Sequence, residues 1–118
     1  NALAIDGLRK PGVTFWTAWQ GDELCGCGAL KELSGGVGEV KSMRTRSAYA
    51  RQGVGQTLLL EIMSTARARG YQLLYLETGT GKAFEAAHAF YAKNGFGWTG
   101  AFGDYGATEF NAFMVRAL

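Results

Sequence analysis

The sequence is poor in the residues from which disulfides and metal centres are built. It contains two cysteines, one proline and one histidine. Cys25 and Cys27 are one residue apart within a strand-like pattern, so their side chains point the same way and do not suit a structural disulfide. With one histidine and no second cysteine pair, a zinc site is not expected. We therefore expect no metal, and reduced thiols in a cytoplasmic protein.

Strong net charge and long apolar runs are also absent. The formal net charge of +2 is too small to indicate a nucleic acid or an anionic membrane as a partner. No apolar run approaches the ~20 residues that a bilayer span requires. The composition is that of a globular protein, and its 118 residues predict a single domain, 1–118. The chain begins with Asn1 instead of Met, which is consistent with the removal of an upstream segment.

Hydrophobic periodicity predicts strands and helices after an ambiguous start at residues 1–12. Three strands separated by short turns form an antiparallel meander, which we place at Val13–Trp19, Leu24–Leu33 and Val37–Thr45. A helix that ends near Gly70 follows, and the later elements are a strand, a helix and two strands, expected at Tyr71–Thr78, Lys82–Lys93, Phe96–Ala101 and Phe110–Val115.

The order of these elements predicts the fold class. Strand, helix and strand in succession around the first helix indicate a parallel right-handed crossover. We therefore expect an α+β (mixed α/β) fold, with a mostly antiparallel sheet, one parallel β-α-β step at its centre and flanking helices. Gly26 and Gly28 lie on one face of the second strand of the meander and leave room for the close approach of another group.

The stretch Arg51-Gln52-Gly53-Val54-Gly55 lies between the third strand and the first helix. Glycines there let the backbone approach a ligand closely, and the first helical turn presents N–H groups without intrahelical partners. Such a site binds anions, phosphates above all, and Arg51 adds a positive charge. A Walker loop would require Lys-Ser or Lys-Thr after the second glycine, and a dinucleotide fingerprint would require a third glycine where Leu58 stands. Both are excluded, which leaves a shorter loop for one pyrophosphate.

Three segments in this order resemble the GNAT superfamily of acyl-CoA-dependent N-acyltransferases. They are Glu39-Val40-Lys41-Ser42-Met43 on the third strand, Arg51-Gln52-Gly53-Val54-Gly55 with its helix, and Phe90-Tyr91-Ala92-Lys93-Asn94-Gly95-Phe96, which is similar to the family's Phe-Tyr-x-x-x-Gly-Phe signature. The resemblance runs from about Val13 to the C-terminus and implies a GNAT-like fold. Relative to that family, the chain lacks most of the N-terminal strand and the paired helices that normally build one wall of the acceptor pocket.

The resemblance implies acetyl-CoA as cosubstrate, held where the third strand and the Tyr71–Thr78 strand splay apart. Backbone groups of Met43, Arg44 and Thr45 would pair with the pantetheine arm, as a sheet edge pairs with an added strand. Backbone amides at the start of the helix would hold the pyrophosphate. The residues concerned are Arg51, Gln52, Gly53, Val54, Gly55 and Gln56.

The resemblance also indicates a catalytic pair, because transfer needs a base for the amine and an acid for the departing thiolate. Glu39 is the candidate base, directly or through water. Its alternative is a strand-surface carboxylate paired with Lys41 on the same face. Tyr91 is the candidate acid, and its alternative is a core aromatic whose hydroxyl simply finds a partner.

Three side chains are candidates for binding the acceptor: His88, Trp16 and Tyr105. His88 lies one turn before Tyr91 on the same helical face, although a lone histidine is more often structural. Trp16 and Trp19 fall on opposite faces of their strand, so at most one of them can face the pocket. A core or surface position is the alternative for each of these aromatic residues.

We therefore expect an N-acetyltransferase that transfers acetyl directly, in a ternary complex, to a primary amine of a small molecule or peptide. No histidine is close in sequence to either cysteine, so a thiol nucleophile is not expected. A homodimer is expected, because the uncovered wall needs a neighbour. Two other classes stay open. One is a regulatory or inactive CoA-binding module, indicated by the missing wall and by Ala50 where the family usually has Gln or Arg. The other is a structural partner in a larger assembly.

Overall fold

The computed structural model describes residues 3–118, which form a seven-stranded sheet with two helices. The strands are β1 (Ala4–Lys10), β2 (Val13–Gln20), β3 (Glu23–Glu32), β4 (Val37–Thr45), β5 (Leu73–Gly79), β6 (Gly97–Thr99) and β7 (Asn111–Ala117). The helices are α1 (Val54–Ala68) and α2 (Glu85–Lys93), and short 3-10 turns lie at Ser47–Tyr49 and Lys82–Phe84. The spatial order of the strands is β1-β2-β3-β4-β5-β7-β6.

The predicted fold class is confirmed. Only the β4–β5 pair is parallel among the described strands, and α1 forms the crossover between its two members. The meander has four strands instead of three, because Ala4–Lys10 pairs with β2 along its whole length. The second helix begins at Glu85, and the expected first turn from Lys82 is 3-10. The expected strand Phe96–Ala101 is shorter, spanning Gly97–Thr99.

The core lies between α1 and one face of the sheet, which we call the helix face. The apolar residues of α1 recur at three- and four-residue spacing, so they form one stripe that packs on the sheet. The fully or nearly fully buried residues of this core include Leu58, Leu59, Ile62, Met63 and Ala66 of α1, and Val40, Leu74, Leu76 and Met114 of the strands. Phe90 and Tyr91 of α2 pack against the same core.

Gly26 and Gly28 allow this close packing. A Cβ at Gly26 would lie 2.6 Å from the carbonyl oxygen of Arg44 and 2.8 Å from Cγ1 of Val54. A Cβ at Gly28 would lie 2.6 Å from Sδ of Met43. The predicted close approach at these two glycines is therefore confirmed, and the approaching groups are β4 and α1.

The opposite face of the sheet, which we call the open face, is covered only in part. Phe102 of the loop between β6 and β7 stacks there on Tyr75 and Phe113, with ring centroids 4.7 and 5.7 Å away. Farther along, Leu8, Val13 and Phe15 of β1 and β2 are exposed on this face. Neither helix of the described residues is long and apolar enough to cross a bilayer.

Candidate active site

A cleft opens where β4 and β5 part. Their parallel pairing covers only Val37–Glu39 and Leu73–Tyr75, although both strands continue beyond it. The parted segments, together with residues of α2 and of the β6–β7 loop, enclose about 400 Å³. Because neither parted edge has a strand partner across the gap, each leaves backbone N–H and C=O groups available to an extended ligand. The splay expected from the resemblance is therefore present.

A bulge in β4 shapes one wall of this cleft. Lys41 pairs with Ala29 and Arg44 with Cys27, so Ser42 and Met43 together face the single residue Gly28. Ser42 adopts a positive φ of 57°, which is uncommon for a residue other than glycine. A bulge of this kind re-aims the strand that carries it. Met43 and Arg44, both predicted cofactor residues, line the cleft.

The start of α1 has the geometry of an anion site. Arg51 and Gly53 have positive φ values of 59° and 85°, and Gly53 is the N-cap without a side-chain capping bond. The first intrahelical bond runs from the Thr57 N–H to the Gly53 carbonyl at 2.9 Å, so the preceding amides of the turn have no intrahelical acceptor. Together with the positive end of the helix dipole, these amides favour a bound anion.

Some side chains of this loop are packed into the core, and others are exposed. Val54 is buried in the core, so only its backbone is available to a ligand. Arg51 and Gln52 are exposed. Gly55 lies beside Thr45, whose Oγ1 would be 3.8 Å from a Cβ at that position. The structure therefore brings Gly55, at the start of α1, beside Thr45, the residue that follows the cleft-lining Arg44 on β4.

Gln56 also ties α1 to the end of α2. Its side-chain amide donates to Oδ1 of Asn94 at 2.8 Å and accepts from Nδ2 of Asn94 at 3.0 Å. Asn94 is buried and donates further to the Phe90 carbonyl at 2.9 Å, while its own carbonyl accepts from Arg116 at 2.6 Å. This reciprocal amide pair fixes the first turn of α1 relative to the helix that carries Tyr91. No local sequence pattern indicates the pair, because the two residues are far apart in the chain.

Tyr91 lines the cleft from α2. Its ring contacts Phe90 and Phe96 edge-on, with centroids 5.2 and 5.6 Å away. Burial raises the pKa of the phenol to about 12. Its hydroxyl makes no hydrogen bond to the described residues, so it is available to a group in the cleft. The Tyr91 phenol therefore keeps its proton at neutral pH and can donate a hydrogen bond into the cleft.

Glu39 lies at the point where the strands part. The residue is 2% exposed, and its Oε2 accepts a hydrogen bond of 2.5 Å from the hydroxyl of Tyr105. Lys41 donates to the same hydroxyl at 3.0 Å and lies 3.5 Å from Oε2. The hydrogen bond to Tyr105 and the nearby Glu39 raise the pKa of Lys41, against a smaller lowering by burial. Burial and the bond to Glu39 raise the pKa of Tyr105, although Lys41 lowers it.

Two predicted acceptor residues do not lie in the cleft, and those expectations are corrected. Trp16 is buried in the core under α1 and is not among the residues that line the cleft. His88 turns toward the end of β5, where its Nε2 lies 2.9 Å from the Gly79 carbonyl, and its ring meets Trp98 edge-on. Tyr105 does line the cleft, as predicted.

The cleft includes residues that sequence reasoning missed. Phe84 and Phe110 are exposed aromatic residues at its rim, and Glu77 accepts a hydrogen bond from Asn111 at 3.0 Å inside it. No local pattern marks them, because their position depends on how α2 and the β6–β7 loop fold over the parted strands. Within residues 3–118, no group of three or more His, Cys, Asp or Glu side chains could hold a metal ion.

Comparison with known proteins places this geometry in a known family. Residues 2–96 match the family model described as "Acetyltransferase (GNAT) family". The chain is 48% identical over 118 residues to YsnE of Bacillus subtilis strain 168, which is named an uncharacterized N-acetyltransferase. That match covers 100% of this chain and 78% of YsnE.

Two solved structures share the fold. A provisionally named acyl-CoA N-acyltransferase of Klebsiella pneumoniae superposes with a TM-score of 0.86 at 31% identity, over 94% of this chain and 76% of that one. An acetyltransferase of Bacillus subtilis, solved in complex with CoA, superposes with a TM-score of 0.82 at 17% identity, over 99% of each chain. The second likeness concerns the fold alone.

Proposed function

Because this chain belongs to the GNAT acetyltransferase family, we propose that it transfers the acetyl group of acetyl-CoA to a primary amine of a small molecule or peptide. The amine attacks the thioester directly while both substrates are bound. The observation that carries this proposal is the cleft between the parted strands β4 and β5, together with the first turn of α1, whose N-cap Gly53 makes no side-chain capping bond. Acetyl-CoA matches both features, because it has an extended pantetheine arm and a doubly charged diphosphate.

The residues present fit acetyl-CoA. Backbone groups of Met43, Arg44 and Thr45 are in position to pair with the pantetheine arm, as in strand addition. Amides of residues 51–56 are in position to hold the diphosphate, and Arg51 adds a fixed positive charge. The glycines at positions 53 and 55 place no side chain between these amides and the ligand. Acetyl-CoA supplies the activated carbonyl, and the protein supplies binding and proton transfer.

Glu39 is the proposed base for the attacking amine, directly or through a water molecule. It lies at the fork of the two strands, where its carboxylate is buried but borders the cleft. Among the described residues, Oε1 of Glu39 receives no hydrogen bond, whereas Oε2 receives that of Tyr105. Oε1 is therefore the oxygen that we assign to the amine or its water.

Tyr91 is the proposed partner of the leaving sulfur. An ordinary thiol has a pKa of about 8.5, so full proton transfer from a phenol with a pKa of about 12 would be uphill by 3 to 4 pKa units. Tyr91 therefore acts as a hydrogen-bond donor that stabilises the developing thiolate. Tyr91 thus keeps its proton while it donates the hydrogen bond, and CoA leaves as the thiolate, which takes its proton from solvent.

Direct transfer is favoured over a covalent acyl-enzyme because both thiols are engaged elsewhere. Cys25 is buried in the core, and its Sγ donates to the Glu23 carbonyl at 3.5 Å. Cys27 donates to the Ser42 carbonyl at 3.3 Å. Neither cysteine lines the cleft. The proposal also includes a homodimer and a cytoplasmic location, and the exposed apolar residues on the open face support the former.

Isothermal titration with acetyl-CoA, followed by a thiol-release assay over a panel of amines, tests this function. We expect binding, and release of CoA with at least one amine. Absence of binding would favour a structural role, and binding without release would favour an inactive module. Mass spectrometry after incubation with acetyl-CoA alone should find no acetylated protein thiol, since an acyl-enzyme would contradict direct transfer.

A matched pair of variants tests the proposed position of the diphosphate. Arg51→Asn removes the charge but tolerates the left-handed backbone at this position. It should weaken acetyl-CoA binding several-fold and leave the affinity for acetyl-pantetheine, which lacks the diphosphate, unchanged. Arg9→Asn is the control, because Arg9 is equally exposed but lies on β1, away from the cleft.

A further inference from the structure

We propose that Tyr105 is a positioning residue for acetyl transfer: its hydroxyl holds Oε2 of Glu39, so that Oε1 is the oxygen presented to the acceptor amine. This inference rests on the proposed function and adds to it the device that orients the base. It assigns Tyr105, a predicted contact to the acceptor, a role that acts through Glu39.

The direction of the hydrogen bonds around Tyr105 follows from charge. Lys41 stays protonated, since Tyr105 and Glu39 raise its pKa, and an ammonium group can only donate. The Tyr105 oxygen therefore accepts from Lys41 at 3.0 Å, and its own proton must point to Glu39 at 2.5 Å. A proton taken up by Glu39 cannot leave through this chain, because Lys41 has no free lone pair. The chain orients the carboxylate and does not carry its proton away.

The location of Tyr105 determines which of two neighbouring cavities the Glu39 carboxylate faces. Glu39 and Tyr105 border both the cleft of about 400 Å³ and a second cavity of about 240 Å³ that is lined by Lys31, Leu33, Gly103 and Asp104. The Tyr105 side chain thus stands between two spaces that both reach the same carboxylate. Without its hydroxyl, the carboxylate is free to turn toward Lys41, which lies only 3.5 Å away.

Packing holds Tyr105 in place independently of the hydroxyl. Its ring contacts Phe102 and Phe113, with centroids 5.1 and 5.9 Å away. Tyr105→Phe therefore removes two hydrogen bonds and keeps the ring. Tyr75→Phe is the matched control, because Tyr75 belongs to the same aromatic cluster through Phe102 but does not line the cleft.

The test measures kcat, the KM for the amine and the Kd for acetyl-CoA. A hydrogen bond to a charged group is worth enough that Tyr105→Phe should lower kcat about ten-fold or more, with KM and Kd changed less than about two-fold. Tyr75→Phe should match the wild type. In a Glu39→Gln background, Tyr105→Phe should lower kcat no further. A kcat within two-fold of wild type, or additive losses in the double variant, would overturn the proposal.

Two outcomes separate this proposal from the proposed function. Turnover by the wild type with an unchanged Tyr105→Phe variant overturns only the role of Tyr105. Binding of acetyl-CoA without turnover by the wild type overturns both. Urea unfolding tests the hydrogen bond between Tyr105 and Glu39 without an activity assay. Tyr105→Phe should shift the unfolding midpoint in the wild-type background and should shift it less in the Glu39→Gln background. Equal shifts would show that the two side chains are not coupled, which also overturns the proposal.

Discussion

The partly buried phenol of Tyr91 should cost the protein stability at alkaline pH, and the variant Tyr91→Phe should remove that cost. An exposed tyrosine in the unfolded chain has a pKa of about 10, whereas burial raises that of Tyr91 to about 12. Below pH 10 both states hold the proton, and the burial of a neutral phenol is undisturbed. As the pH rises from 10 to 12, the unfolded chain loses the proton and the native state keeps it, so ionisation favours unfolding.

The size of the effect follows from the two pKa values. At pH 11 the unfolded phenol is about ten-elevenths ionised and the native one about one-eleventh, which destabilises the fold by about 1.4 kcal/mol. Above pH 12 the loss approaches about 2.7 kcal/mol, since one pKa unit corresponds to about 1.36 kcal/mol. Every other ionisable group is shared by the wild type and Tyr91→Phe, so the difference between the two proteins isolates this one phenol.

Urea unfolding of both proteins at pH 8, 9, 10 and 11 measures that difference. From pH 9 to pH 11 the free energy of unfolding of the wild type should fall by about 1.4 kcal/mol more than that of Tyr91→Phe. A difference that stays constant across this range would show that Tyr91 ionises as an exposed phenol does, and would refute its placement as a buried donor. If Tyr91 ionised near pH 10, a loss of kcat at that pH could be assigned to it. With a pKa of about 12 for Tyr91, such a loss must be assigned to another group.

Two further predictions concern packing and assembly. Gly26→Ala should lower the free energy of unfolding by about 1–3 kcal/mol, because its Cβ would lie 2.6 Å from the backbone oxygen of Arg44 and 2.8 Å from Cγ1 of Val54. Gly97→Ala is its control in the same urea experiment, since nothing lies within 4 Å of a Cβ there, and equal losses would contradict the packing argument. Sedimentation velocity should find a dimer that Phe15→Lys dissociates, because Phe15 is exposed beside Leu8 and Val13 on the open face. A monomeric wild type would reject the dimer.

The parts of the fold that were predictable are those that local patterns determine. The apolar residues of α1 repeat at helical spacing and meet one core, so its existence and face were readable from Leu58, Ile62 and Ala66. β1 was ambiguous because it is an edge strand with both faces largely exposed, which leaves no alternation to detect. Alternation in β2 correctly separated Trp16 from Trp19, but it could not tell which face α1 would cover, and Trp16 was therefore placed wrongly.

The two ends of the site differ in the same way. The proposed anion-binding end consists of backbone: its amides and positive φ values belong to five consecutive residues, so the loop was visible in the sequence. The acceptor end consists of side chains brought together by the fold, and Glu39 and Tyr105 are 66 positions apart. Nothing local to Glu39 encodes the bond that orients it. Family resemblance could nominate that carboxylate, but only the tertiary structure shows which of its oxygens remains free.

This division also leads us to propose which part of the site sets the choice of acceptor. The proposed diphosphate end is built from main-chain groups that any donor of the same class would use. The base is oriented by Tyr105, which belongs to a loop with glycines at positions 100, 103 and 106 and few backbone hydrogen bonds of its own. Changes in that loop alter the direction in which Glu39 faces without touching the residues at the start of α1. We therefore expect acceptor selectivity and acetyl-CoA affinity to be separable properties of this fold.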